Sequence, residues 1–95
     1  MQRIKIENVK ILGCNVKVKY FDNLHRSDCD MGRCDSKMNI ILVNAEMPED
    51  VQRQTLLHEI MHKLSDDLSL NLTEDQVSAL SVTVFGVLTD NAGII

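Results

Sequence analysis

Residues 54–67 read "QTLLHEIMHKLSDD" and carry two of the chain's three histidines, His58 and His62, with Glu59 directly after the first. Around them Leu57, Ile60, Met61 and Leu64 fall at spacings of three, four and seven, the period of an amphipathic helix. Upstream, Pro48 suits a first helical position, and Glu49 and Asp50 put negative charge where the helix dipole favours it. The pattern predicts a helix from Pro48 to about Ser65. At 3.6 residues per turn, His58 and His62 leave the same face one turn apart, so both rings can meet a single ion. With His58 at zero and about 100° per residue, Leu57, Ile60 and Leu64 centre near roughly 230°, while His62 lies at about 40°. The imidazoles are therefore expected to flank the buried face without belonging to it.

Glu59 lies about 100° around from His58, too far to share its ligand direction but close enough to reach a water held by the ion. Zinc hydrolysis needs that division of labour: neutral imidazoles hold Zn²⁺, the metal acidifies its water, and a carboxylate accepts the proton and passes it to the leaving amine. "HEIMH" is the zincin motif HExxH. His and Glu are also ordinary residues of a solvated helix face, but the capped amphipathic setting and the preceding "TLL" weigh against accident. A catalytic zinc needs a third protein ligand and one vertex left for water. Glu74, in the first turn of a second predicted helix, is the best candidate by spacing. Asp75, Asp66 and Asp67 compete, and each of the four also reads as an ordinary helix-end or loop carboxylate.

The second helix begins with a capping box, Thr73 followed by Gln76, and continues through Val77, Leu80, Val84, Val87 and Leu88 until "DNAG", residues 90–93, stops it. The β-branched run Val82, Thr83, Val84 and then Gly86 act against it. Towards the N-terminus the period changes to two. Ile4, Ile6, Val9, Ile11, Val16, Val18 and Tyr20 alternate with polar residues, broken by "LGCN" around Gly13, which predicts a hairpin from Arg3 to about Phe21. The apolar run "NIILVN" predicts a strand over Met38–Val43, with a short partner at Gly32–Asp35 and a turn at Ser36 and Lys37. The expected architecture is α+β: one domain over residues 1–95, with a small antiparallel sheet of three or four strands packed on an active-site helix and a second C-terminal helix.

Composition agrees with a single small core. The chain has 95 residues, 44% of them hydrophobic and 25% charged, with one Tyr, two Phe and no Trp, so aliphatic side chains must build the interior. A net charge of −4 argues against a nucleic-acid partner. The basic residues in "RIKI" and "NVKVKY" alternate with apolar ones, as on the solvated face of a half-buried strand. Neither a secretory signal nor a membrane span is legible. Cys14, Cys29 and Cys34 make an odd count, which fits a reducing cytoplasm better than a disulfide framework. Cys29 and Cys34 have only His25 nearby to complete a second metal site, so idle or buried thiols are the expectation.

The stretch "TLLHEIMHKLSDDLSLNLTEDQVSALSVTVFGVLTDN", residues 55–91, resembles the active-site half of small phage and prophage metallopeptidases of the ImmA/IrrE-like group, which belong to the gluzincin class. The strand-rich first half, including Cys34 and Asp35 before the last strand, is similar to their usual N-terminal part. Such proteins take the third ligand from a second-helix glutamate written ExxAN or ExxxD, followed by an aromatic and a small residue. In "EDQVSALS" Glu74 matches the ligand, Val77 the Ala, Ser78 the Asn or Asp, Leu80 the aromatic and Ser81 the small residue. Ser78 departs from that pattern, because a serine reaches less far than an amide or carboxylate to orient a ligand histidine.

The resemblance implies a minimal zincin-like fold, Zn²⁺ on His58, His62 and Glu74, and Glu59 as general base. It also implies a peptide or protein substrate, a bacterial or phage regulatory protein among the targets, and the cytoplasm of a bacterial host. The substrate would add as an extended strand to the sheet edge beside the active-site helix. After Glu74 there is no His or Tyr to steady an oxyanion. Tyr20 and His25 remain as candidates, each with a plainer role as strand or loop residue, and the metal itself can act as the electrophile. Two other functions compete: a non-catalytic zinc-binding interaction protein of phage or prophage origin, and a regulatory partner with no metal.

Overall fold

The computed structural model describes residues 6–22, 31–35 and 37–94. Arg3, where the expected hairpin starts, and Ile4, His25, Cys29 and Ser36, all named above, lie outside the described residues. Four strands, β1 (Asn8–Ile11), β2 (Cys14–Phe21), β3 (Gly32–Asp35) and β4 (Ile40–Asn44), precede two helices, α1 (Glu49–Asp67) and α2 (Glu74–Asp90).

The alternation in the first block produces the expected hairpin. β1 and β2 pair antiparallel with Ile11 opposite Cys14, so Leu12 and Gly13 alone make the turn. Both have positive φ, 51° and 82°, the conformation whose twist matches that of the flanking strands. Glycine adopts it freely, whereas leucine is strained there. Alternation then sends Val16 and Val18 to the buried side and leaves Lys17 and Lys19 exposed.

The sheet order is β1-β2-β4-β3, with β4 antiparallel to β3 but parallel to β2. The sheet is therefore mixed, which corrects the expectation of an antiparallel one. β4 is apolar on both faces, and a strand of that kind is most stable in the middle of a sheet. β3 is short, contains Gly32 and exposes Arg33 and Asp35, so it takes the edge. The chain between Phe21 and Ile40 is long enough for the roughly dozen residues that a parallel crossover requires.

Ile11, Val16, Val18, Ile41 and Val43 meet Leu56 of α1 in the core, with Ile60 and Leu64 packed against them. The buried arc of α1 is Gln52, Thr55, Leu56, Glu59 and Lys63, which shifts the expected face. Leu57 and Met61 are only half-buried, and polar side chains occupy much of the contact. Gln52 and Lys63 among them are paired. Gln52 Nε2 donates to the carbonyls of Met47 at 2.7 Å and Ala45 at 3.2 Å, and Lys63 Nζ meets Asp67 at 3.0 Å. Periodicity locates apolar side chains and is blind to buried polar ones that have found partners.

α1 runs two residues past its expected end, and Pro48 stands just before its first residue. Ser69 and Asn71, both with positive φ, turn the chain back. The Leu72 N–H donates to Ser65 Oγ at 3.0 Å, which ties the returning chain to α1. The capping box then starts α2: Gln76 N–H donates to Thr73 Oγ1 and Thr73 N–H to Gln76 Oε1. Packing of fully buried Val77 and of Ser81 outweighs the poor helix propensity of residues 82–86. Among the described residues no helix is long and apolar enough to cross a membrane.

Replacing Leu12 by Asn, which tolerates positive φ, should stabilise the hairpin by about 1 kcal/mol and raise the melting temperature by roughly 4–8 °C. An unchanged or lower melting temperature would contradict the turn assigned to Leu12 and Gly13.

Candidate metal centre

Helical spacing stacks His58 and His62 on α1 with ring centroids 4.8 Å apart and ring planes at 65°. Glu74, the first residue of α2, lies opposite them. Its Oε1 is 2.8 Å from His58 Nε2 and its Oε2 2.8 Å from His62 Nε2. The ligand atoms of these three residues all lie within 4.8 Å of one another, and among the described residues this is the group that can hold a metal ion. Asp66, Asp67 and Asp75 do not join it. Two imidazole nitrogens and a carboxylate oxygen from two helices form a donor set suited to a divalent metal ion. The side chains of His58, His62 and Glu74 are 24%, 32% and 65% exposed, which leaves a coordination vertex reachable from outside.

Glu59 sits beside the cluster, on the side of α1 that faces β3, and is only 8% exposed. Burial raises its pKa above the usual carboxylate value; positive charge on His58 and His62 opposes that shift and the Glu74 carboxylate adds to it. Gly32 makes the close approach possible. A Cβ there would stand 2.5 Å from Thr55 Cγ2 and 2.7 Å from the Leu42 carbonyl oxygen, and 3.6 Å from Glu59 Cγ. Sequence reasoning missed this residue, although a glycine inside a predicted strand is a signal of close backbone approach.

A cleft opens between the β3 edge and the two helices, with Met31 and Gly32 on one wall, Val51 and Thr55 on α1, and Ser78 and Val82 on α2. His58, Glu59, His62 and Glu74 all line it. Tyr20 does not. Its hydroxyl donates to the Ile6 carbonyl at 2.8 Å, and the side chain packs against the core, so Tyr20 is a strand residue and not an oxyanion group. Burial and the nearby Glu7 raise its pKa, against the effect of that hydrogen bond. His25, the other candidate, and Cys29 lie outside the described residues. Cys14 is exposed and Cys34 half-buried, and neither joins the cluster. The hydroxyl that meets a ligand ring belongs to Ser81, not Ser78: Ser81 Oγ is 3.4 Å from His58 Nδ1.

A mixed sheet backing a helix with two metal-competent imidazoles, completed by a carboxylate from the next helix, defines a small zincin-like α+β domain. The chain belongs to the peptidase M78 family, the IrrE N-terminal-like domain, whose pattern it matches over residues 8–81. No curated protein and no solved structure matches it. That family is metal-dependent, and this chain carries a His-His-Glu group that could hold an ion.

Two substitutions test this geometry. Because the folded pKa of Glu59 lies above its unfolded value, the ionised form costs stability; that cost is absent below the unfolded pKa of about 4.3 and complete above the folded pKa. Glu59→Gln should therefore raise the melting temperature of the metal-free protein at pH 8, with the gain vanishing towards pH 4 in thermal scans. Gly32→Ala should destabilise the fold by about 1–3 kcal/mol in urea titrations, because the Leu42 backbone cannot yield as a flexible side chain would.

Proposed function

We propose that the chain is a zinc-dependent metallopeptidase in which His58, His62 and Glu74 hold the ion and Glu59 is the general base. The observation that carries this reading is the meeting of both Nε2 atoms with Glu74 at 2.8 Å, beside a buried carboxylate in one cleft. When bound, zinc would supply Lewis-acid polarisation and acidify a water at the open vertex. Glu59 would take a proton from the attacking water and deliver it to the leaving amine. A carboxyl group with raised proton affinity serves both halves of that transfer better than an ordinary one.

The cleft geometry favours an extended peptide as substrate. The Asn44 N–H donates to the Met31 carbonyl at 2.8 Å, so Met31 is a hydrogen-bonded position of the β3–β4 pair. Alternation then turns the N–H and C=O of Gly32 away from β4, towards the open side where a substrate strand would pair. On this reading the targets are regulatory proteins of a bacterial host or a phage, and a cytoplasmic setting agrees with the odd number of cysteines.

A non-catalytic zinc protein is the second reading, because the same three ligands bridge α1 to α2 and would also serve to join them. One experiment separates the two. Metal analysis should find one zinc per chain, lost in His58→Ala and kept in Glu59→Gln. Proteome-wide cleavage by wild type should fall by about 10²–10⁴-fold in Glu59→Gln. Identical fragment patterns from the two, with zinc retained in both, would leave only the structural role.

A further inference from the structure

We propose that Ser81 is a positioning residue for His58, holding the Nδ1 side of the ring so that Nε2 is presented to the metal. This rests on the metal-site part of the proposed function and is independent of whether a peptide is cleaved. Glu74 and Ser81 are seven residues apart, about two turns, and so lie almost in line along one face of α2. The His58 ring spans the interval between them. Its Nε2 meets Glu74 Oε1 at 2.8 Å, and its Nδ1 meets Ser81 Oγ at 3.4 Å. One helix face therefore addresses both ring nitrogens of one ligand.

Proton accounting gives the contact its direction. Ser81 is 2% exposed, so its hydroxyl must find partners inside the protein. It donates to the Val77 carbonyl at 2.7 Å, with the Ser78 carbonyl a second acceptor at 3.3 Å. With its single proton committed to the backbone, the oxygen faces His58 with lone pairs and can only accept. The ring atom opposite must then be Nδ1–H, which with an ion bound leaves Nε2 to offer its lone pair to the metal; without an ion, the 2.8 Å contact with the Glu74 carboxylate needs a proton on Nε2. The contact is long for an N–H···O bond, which places its effect at the lower end of the 10–100-fold typical of groups that orient a metal ligand.

The test is zinc affinity of the full chain, measured by competition with a chromophoric chelator, for wild type, Ser81→Ala and Ser81→Thr. Alanine favours the helix, so Ser81→Ala should keep its metal-free melting curve. Its zinc affinity should fall by about tenfold, and the His58 Nδ1–H resonance of the zinc-loaded protein should exchange faster with water. Threonine in a helix can place its hydroxyl on the carbonyl four residues back, as Ser81 does, so Ser81→Thr should recover affinity to within about threefold of wild type. Wild-type affinity in Ser81→Ala, or Ser81→Thr as weak as Ser81→Ala, would overturn the role of Ser81 while leaving the metal centre standing. A wild-type chain that binds no zinc would overturn the centre itself, and the inference with it.

Discussion

One carboxylate facing two imidazoles across a helix–helix turn is the constraint on which the rest depends. Glu74 reaches both Nε2 atoms only because α2 starts where it does. A shift of one residue at that start would rotate the side chain by about 100° and carry it out of the cluster. The start is set by several local devices acting together: the capping box of Thr73 and Gln76, the positive φ of Ser69 and Asn71, and the bond from Leu72 to Ser65. The negative charge of Glu74 in the first turn is also where the α2 dipole is most favourable. Local helix chemistry and site chemistry thus ask for the same residue at the same place.

Most of this was legible in the sequence because it is local. The hairpin about Gly13, the strand at Gly32–Asp35, the strand expected over Met38–Val43 and found at Ile40–Asn44, both helices and the capping box follow from period, turn residues and caps within a few positions. So do His58, His62 and Glu74, since two of them are one turn apart and the third begins the next element. What could not be read is what depends on remote neighbours. The parallel pairing of β2 with β4 is decided by which strand is apolar on both faces, a comparison across the sheet. The polar arc of Gln52, Glu59 and Lys63 looks solvent-facing until the carbonyls and carboxylate that satisfy Gln52 and Lys63 are placed. Ser81 reads as a small packing residue, and only the tertiary contact shows its hydroxyl at a ring nitrogen. Tyr20 was attractive as a lone phenol, but the hairpin already uses its hydroxyl.

The edge strand joins the fold to the site. β3 is short enough to sit at the margin, and Gly32 within it gives Thr55 and Glu59 the space a side chain would fill. The resulting burial raises the proton affinity of Glu59 and at the same time makes its ionised form a cost to the fold. Stability given up at a reactive position is a familiar trade in enzymes. In the proposed mechanism that trade is made at a single side chain, and the apolar contact of Leu56, Ile60 and Leu64 with the sheet offsets it.

X-ray absorption at the zinc edge of the metal-loaded chain addresses the central claim most directly. The account predicts four light-atom neighbours: two imidazole nitrogens at about 2.0–2.1 Å, with the outer-ring scattering of histidine, and two oxygens, one of them from Glu74, at about 2.0–2.2 Å. A sulfur neighbour at about 2.3 Å, or the scattering of fewer than two histidines, would contradict it.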